Sequence, residues 1–179
     1  MSKIAIAGAT TGTGTFTLAS PATNTDRVLT LPDEAGTVLT SASSVTQNSG
    51  PAFSAYSSGG QSLTGGTITK IQFNAEDFDT DSCYDVSTYR FTPTRAGYYQ
   101  VNGVVAVATA TGLQTAIYKN GTVWMWGQYV SSSNWANCSG LVYMNGTTDY
   151  IELYCYIVAT LVTQSPSAYK FQASMVRAA

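Results

Sequence analysis

The densest group of side chains able to bind a metal or transfer a proton is the acidic run from residue 76 to residue 81. Its aspartates at alternate positions, Asp77, Asp79 and Asp81, offer the carboxylate oxygens that calcium prefers. The run lacks the glycine and the late glutamate of an EF-hand loop, so a solvated acidic loop is the alternative interpretation. Hydrolysis of a glycosidic bond needs two carboxylates opposed across a cleft, and a single loop does not provide that arrangement.

The chain of 179 residues contains no histidine, and this absence excludes several kinds of active site. A Ser-His-Asp triad, a Cys-His pair and an imidazole-bound metal all require that residue. The three cysteines, Cys83, Cys138 and Cys155, lack the spacing of a zinc site; we expect small buried side chains, with one disulfide and one free thiol as the alternative. No phosphate-binding loop or dinucleotide fingerprint occurs. We therefore expect a protein that is not an enzyme and that needs no cofactor, calcium at the acidic run being the one candidate.

Aromatic residues cluster between residues 123 and 135 and indicate a second kind of chemistry. Trp135 and Tyr129 stand among serines and asparagines, and such rings stack on sugars while neighbouring amides and hydroxyls bind the sugar hydroxyls. We therefore name Trp135 and Tyr129 as candidate contacts for a glycan. Trp124 and Trp126 share one strand face, so they are expected in the core or in an interface.

The elements that position these residues are predicted to be β strands. Stretches at 98–108, 150–158 and 169–176 alternate with period two, and no window shows a helical period. The expected core-facing residues are Tyr99, Val101, Gly103, Val105, Val107, Ile151, Leu153, Cys155, Ile157, Tyr169, Phe171, Ala173 and Met175. Asn-Gly pairs at 120–121 and 145–146 mark turns between strands. Strands that recur about every ten residues favour an all-β sandwich or jelly roll.

The opposite faces of these strands carry tyrosines where a solvated face would carry lysine and glutamate. Only 10% of the residues are charged, so little of the surface is built for water. A subunit interface selects tyrosine because the ring buries a large area and keeps a hydrogen-bonding tip. We therefore predict a homo-oligomer whose interface contains Tyr98, Gln100, Tyr150, Tyr154 and Tyr156. The alternative is a strand buried on both sides within one protomer.

The first 45 residues differ from the rest, since they contain no tryptophan or tyrosine and are rich in Thr, Ser, Ala and Gly. Such a segment cannot bury enough apolar area to fold alone, so we predict an extended arm of short strands at 1–45, a linker at 46–50 and a head domain at 51–179. The arm offers seven apolar anchoring residues: Phe16, Leu18, Val28, Leu29, Leu31, Val38 and Leu39. We expect no binding to nucleic acid, because a net charge of −2 forms no basic stripe, and no membrane insertion, because no apolar run is long enough.

The segment from Tyr84 to Val101, which ends in Ala96-Gly97-Tyr98-Tyr99-Gln100-Val101, is the specific part of a longer pattern that begins at Pro51. With Tyr118-Lys119-Asn120-Gly121 and the closing stretch at 169–173, it resembles the complement globular-head domain (complement 1q type), a relative of the tumour-necrosis-factor jelly roll. The resemblance implies a ten-stranded jelly-roll sandwich, a tight homotrimer with tyrosine-rich strands around the threefold axis, and a binding role. Some members of that family bind calcium near the apex of the trimer. Tyr89 departs from the family, which usually has glycine at this turn.

Residues 14–40 resemble a segment that recurs in bacteriophage fibre and virion proteins, ahead of their shaft or head domains. The two resemblances together imply a virion structural protein, assembled in the host cytoplasm and displayed on the virion surface. The reading we favour is a trimeric capsid decoration or cement protein whose arms clamp neighbouring subunits of the major capsid protein or another virion protein. The alternatives are the tip of a tail fibre, which binds a host glycan or surface protein, and a surface polysaccharide depolymerase.

Overall fold

The computed structural model describes residues 11, 13–14, 22, 24–26, 28, 50–164 and 169–179. The chain divides into two compact units, Met1–Ser43 and Ser44–Ala179. Most of the predicted arm and linker lies outside the described residues, as do six of its anchoring residues: Phe16, Leu18, Leu29, Leu31, Val38 and Leu39. The seventh, Val28, is 91% exposed.

The second unit consists of β strands and turns, and it contains no helix in the residues described. Its twelve strands are β1 (Ala52–Tyr56), β2 (Ser62–Leu63), β3 (Ile68–Lys70), β4 (Ala75–Asp79), β5 (Tyr84–Asp85), β6 (Arg90–Phe91), β7 (Ala96–Lys119), β8 (Thr122–Trp126), β9 (Val130–Asn145), β10 (Ile151–Ile157), β11 (Leu161–Val162) and β12 (Lys170–Ala178). Ten of these strands are connected by antiparallel pairing, and β2 pairs separately with β11.

The long strand β7 belongs to two sheets. Its first half pairs with β12 and β9, and its second half pairs with β10 and β8. The first sheet therefore has the order β4-β1-β12-β7-β9. The second sheet runs β8-β7-β10, with β3 and β6 on the other edge of β10. This arrangement confirms the predicted all-β jelly-roll sandwich, in which one strand turns the corner between the layers.

The core lies between the two sheets, and the predicted inward faces line it. From the three alternating stretches the buried side chains are Tyr99, Val101, Val105, Val107, Ile151, Leu153, Cys155, Ile157, Phe171, Ala173 and Met175, whereas Tyr169 is half-buried. At one end, the ring of Phe53 stacks on Tyr84 and on Phe91, each with a centroid separation of 4.6 Å. Gly103 of the first sheet faces Leu153 of the second, and a β-carbon at Gly103 would overlap that side chain. The glycine thus allows the two sheets to approach.

The two Asn-Gly pairs have different roles. Asn120 and Gly121, with φ of 52° and 78°, form the tight turn between β7 and β8, as the sequence predicts. Gly146, with φ of 74°, follows the end of β9, but β9 and β10 do not pair with each other. The second Asn-Gly pair therefore connects the two sheets, and the side-chain oxygen of Asn145 accepts hydrogen bonds from three backbone N–H groups of that loop.

Tyr89 has φ of 58°, which is the left-handed conformation that glycine adopts without cost. At the position where the resembled family usually has glycine, this chain thus has tyrosine in a conformation that favours glycine. A bulky side chain in this region stores roughly 1–2 kcal/mol of strain.

Candidate functional site

The centre of the outer face of the first sheet contains almost no charge, whereas its edge strand β4 carries Glu76, Asp77 and Asp79. Strands β1 and β9 and the first half of β7 contain no charged residue, and β12 has charges only near its ends, at Lys170 and Arg177. We call this surface the uncharged face; its central outward residues are Tyr98, Gln100, Asn102, Val104, Ser139, Leu141, Tyr143, Gln172 and Ser174. An exposed sheet face without charges is typical of a surface that another protein covers.

Exposed apolar side chains occupy the middle of the uncharged face. Leu141 is 52% exposed and lies opposite Gln100 in the pairing of β9 with β7. Tyr98 and Tyr143 are also paired, and their ring centroids are 5.5 Å apart. The amide of Gln100 donates a hydrogen bond to Ser139 Oγ at 2.9 Å, so the polar groups beside these rings have partners within the sheet.

A groove of about 200 Å³ crosses the same face toward β4. Its lining includes Phe78, Asn102, Gln172 and Ser174. Phe78 is half-exposed, so the groove combines an open aromatic ring with uncharged polar groups.

The outer face of the second sheet has the opposite character. Glu152 is only 1% exposed, although it lies on the outward side of β10. Its Oε1 atom is 3.0 Å from Lys70 Nζ and 2.8 Å from Arg90 Nε. The hydrogen bond to Glu152 raises the pKa of the Arg90 guanidinium. We call this surface the ionic face, defined by Lys70, Arg90, Glu152 and the tyrosines around them.

Three of the predicted interface tyrosines lie on the ionic face, and each is half-buried within the protomer. Tyr154 stacks on Tyr118 with centroids 3.9 Å apart. The guanidinium carbon of Arg90 is 4.2 Å from the centroid of Tyr150. The predicted interface set is therefore divided, with Tyr98 and Gln100 on the uncharged face and Tyr150, Tyr154 and Tyr156 on the other sheet. The structure does not bring the two groups together.

The aromatic cluster near residue 130 is exposed. Trp124 and Trp126 on β8 are 50% and 45% exposed, so the expectation that they lie in the core is wrong for the protomer. Trp135 lies opposite Ala106 on the outer side of the first sheet. Tyr129 precedes β9, and its hydroxyl packs against Gly112. The two candidate glycan contacts, Trp135 and Tyr129, are thus both exposed, but they pack against different parts of β7.

The carboxylates of the acidic run face different partners. Asp77 accepts hydrogen bonds from Lys170 and Ser54, and these bonds lower its pKa. One oxygen of Asp79 accepts a hydrogen bond from the backbone N–H of Tyr84 at 2.7 Å, and Asp81 lies 3.9 Å from Arg95. Within 50–164 and 169–179, no three acidic or thiol side chains come together as metal ligands.

The three cysteines are buried and free, as the sequence predicts. Burial raises the pKa of Cys138 to about 11 and that of Cys155 to about 12. Thiols in this state are protonated at neutral pH and are poor nucleophiles.

Sequence reasoning missed several residues of both faces. For Leu141 and Tyr143 a sequence signal was available: the sixteen residues that form β9 contain no charge. Lys70 and Arg90 gave no local signal, because they meet Glu152 only through pairing between strands distant in sequence.

Comparison with solved structures supports the fold that the resemblance implied. The globular domain of zebrafish complement 1qA matches with a TM-score of 0.52 and 13% identity, over 72% of this chain and 99% of that chain. Murine APRIL matches with a TM-score of 0.55 and 10% identity, over 69% and 96% of the two chains. The vertex protein P5 of phage PRD1 matches with a TM-score of 0.53 and 14% identity, over 70% and 96%. No family model and no curated protein matches the chain.

These matches identify the second unit as a jelly roll of the complement 1q and tumour-necrosis-factor type. At such low identities they establish the fold alone. In the part of the chain that the structure describes, no helix is long and apolar enough to cross a membrane.

Proposed function

We propose that the protein is a non-enzymatic structural component of a bacteriophage virion and that it acts as a homotrimer. One observation carries the proposal. The chain contains a jelly roll that matches 96% of the solved chain of a phage vertex protein, and this jelly roll follows a segment that resembles segments of phage fibre and virion proteins. The resemblance to the complement 1q type implies three subunits around one axis.

The uncharged face supports self-association. Leu141, Tyr98 and Tyr143 expose rings and an aliphatic chain to water, and a second copy of the same chain would cover them. Strand β9, which holds Leu141 and Tyr143, contains no charge. Two cations border the patch: Arg177 of β12 lies opposite Tyr98, and Lys119 at the end of β7 lies 5.7 Å from the Tyr143 ring and is already paired with Asp149. Tyr98 and Gln100 of the predicted interface belong to this surface. Tyr150 and Tyr154 of the ionic face already have partners in their own protomer, so this interface does not require them.

Within the virion we favour a capsid decoration or cement role. Three arms on one trimer multiply weak contacts through effective concentration, and a trimer that binds only the assembled shell stabilises it by mass action. The arm residues named above would supply the contacts with the major capsid protein or a neighbouring virion protein.

The test is a deletion of residues 1–45, with particles that lack the full-length protein as acceptors. We expect the head to remain folded and trimeric, and to bind no particles, because the arms supply the attachment. A matched control is full-length protein with Arg177→Lys, which should decorate normally. Full decoration by the truncated head would contradict the arm's role, and immunogold labelling of tail tips alone would contradict the capsid location.

A second candidate function is the receptor-binding tip of a tail fibre. Its support is the exposure of Trp135 and Tyr129, which are 51% and 47% exposed beside serines and asparagines. Purified protein at saturating concentration should then reduce phage adsorption by occupying the receptor. Unchanged adsorption at saturation would contradict this candidate. The depolymerase alternative receives no support from the acidic run, because its aspartates already have separate partners.

A further inference from the structure

The ionic face holds more cationic charge than its own carboxylate balances. Lys70 Nζ and Arg90 Nε both contact the same oxygen of Glu152, at 3.0 and 2.8 Å. Among the described residues, the other oxygen of Glu152 has only the hydroxyl of Tyr154 as a partner, at 3.4 Å. Two cations therefore share one carboxylate on a protein whose net charge is −2.

A second carboxylate nearby is engaged elsewhere. Asp85 lies opposite Arg90 in the pairing of β5 with β6. Its oxygens accept hydrogen bonds from the backbone and hydroxyl of Ser87 and from the hydroxyl of Thr88, at 2.6 to 2.8 Å. The terminal nitrogens of Arg90 consequently have no hydrogen-bond acceptor among the described residues.

Two tyrosine rings flank the pair of cations. The Arg90 guanidinium lies over Tyr150 at 4.2 Å, and Lys70 Nζ lies 5.9 Å from the centroid of Tyr89. A guanidinium that stacks on a ring keeps its edge free for two parallel hydrogen bonds to a carboxylate, sulfate or phosphate. A tyrosine ring also offers an apolar surface on which a sugar ring packs.

The backbone at Tyr89 is an independent sign of function. Its φ of 58° is unfavourable for any residue with a β-carbon, and glycine would remove the strain. Glycine would also keep the one backbone hydrogen bond that Tyr89 donates, to the carbonyl of Asp85 at 2.6 Å. A strained conformation kept with a large ring, next to solvent-exposed guanidinium donors, is a pattern found at ligand sites.

We propose that Arg90, Lys70, Tyr89 and Tyr150 form a binding site for an acidic saccharide. The anionic group binds the free edge of Arg90 beside Lys70, and the sugar ring packs on a tyrosine. The site belongs to the outer face of the second sheet, whereas the proposed self-association uses the first sheet. Saccharide binding therefore does not depend on the trimer, and the two proposals fail separately.

The first experiment compares ligands on the full chain by isothermal titration calorimetry at low salt. The probes are a glucuronate-containing tetrasaccharide, a sulfated tetrasaccharide and a neutral glucose tetrasaccharide. We expect at least one acidic probe to bind about tenfold or more tightly than the neutral one, with affinity falling as salt is added. The two acidic probes separate a carboxylate from a sulfate as the recognised group. Equal affinity for all three, or no binding of either acidic probe, would overturn the proposal.

The second experiment compares two variants in the same titration. Arg90→Lys keeps a cation beside Glu152 and loses the two-pronged edge, so affinity should fall about tenfold. Tyr89→Gly removes the ring and the strain together, so affinity should fall while the melting temperature stays level or rises. Arg177→Lys, an exposed arginine at the end of β12, is the matched control and should bind as the natural chain does. If Tyr89→Gly and Arg90→Lys both bind normally, the proposal is wrong even if either variant is less stable.

Discussion

The two outer faces of this sandwich use the same residue type for different purposes. On the uncharged face, Tyr98 and Tyr143 are 41% exposed and stand beside leucine, serine and amide side chains. On the ionic face, Tyr150 and Tyr154 are half-buried against Arg90 and Tyr118 of their own chain. A row of tyrosines in a strand therefore does not by itself predict an interface. What distinguishes the two faces is how much of each ring the protomer itself already covers.

The largest expected effect comes from placing a charge on the uncharged face. Leu141→Glu leaves a carboxylate exposed in the single protomer, but it buries that charge without a partner when copies associate. We expect sedimentation equilibrium to show a folded single subunit at micromolar concentration. Ile68→Glu is the matched control, since Ile68 is an exposed apolar residue of the ionic face, and it should leave the trimer intact. If Ile68→Glu dissociated the trimer and Leu141→Glu did not, the interface would lie on the ionic face and not on the uncharged face.

The next effect concerns stability and should be confined to the ionic face. Glu152→Gln removes the carboxylate that Lys70 and Arg90 share, and because both cations are partly exposed we expect a loss of about 2 kcal/mol in the free energy of unfolding. Urea denaturation at constant protein concentration measures it. Gln100→Leu on the uncharged face should change stability by less than about 0.5 kcal/mol. If Glu152→Gln were as stable as the natural chain, the attraction within the two ion pairs would only offset the cost of removing the charges from water.

The smallest effect is a difference in response to acid. Hydrogen bonds from Ser87 and Thr88 hold the pKa of Asp85 at about 2, below its ordinary value of 3.8. A lowered pKa stabilises the folded state above pH 4, and that contribution is lost as the pH falls from about 4 to 2.

The pKa of Asp77, at the margin of the uncharged face, is also lowered, so it stays ionised at pH 4 to 6. Circular dichroism should show the melting temperature falling only below pH 4, and sedimentation should show a constant association state between pH 6 and 4. Dissociation in that range with unchanged circular dichroism would place a titrating group in the interface.

The inward faces of the strands were predictable because burial imposes a simple alternation. Tyr99, Val101 and Val105, like Ile151, Leu153 and Cys155, are buried as the sequence indicates. The hairpin at Asn120 was equally accessible, since few sequences other than Asn-Gly form this turn.

The outer faces were less predictable, because their environment depends on strands that are distant in the sequence. Glu152 was placed among tyrosines on an outward face, and only the pairing of β10 with β3 and β6 shows that two cations bury it. Trp124 and Trp126 were expected in the core or an interface; the edge strand β8 leaves both rings half-exposed, which excludes the core, and the interface stays a prediction. The conformation of Tyr89 could not be read from its side chain, which gives no hint of a positive φ.

The strand β7 runs without interruption for 24 residues and is a member of both sheets. The two sheets therefore share one strand, although its pairing with β9 shifts register between Ala106 and Leu113, and opening either sheet would release part of that strand. Heat or mechanical load on either layer is shared by both, and the head should melt in one cooperative transition with no half-open intermediate. The consequence of one strand shared by two layers is that failure of the head is an all-or-none event.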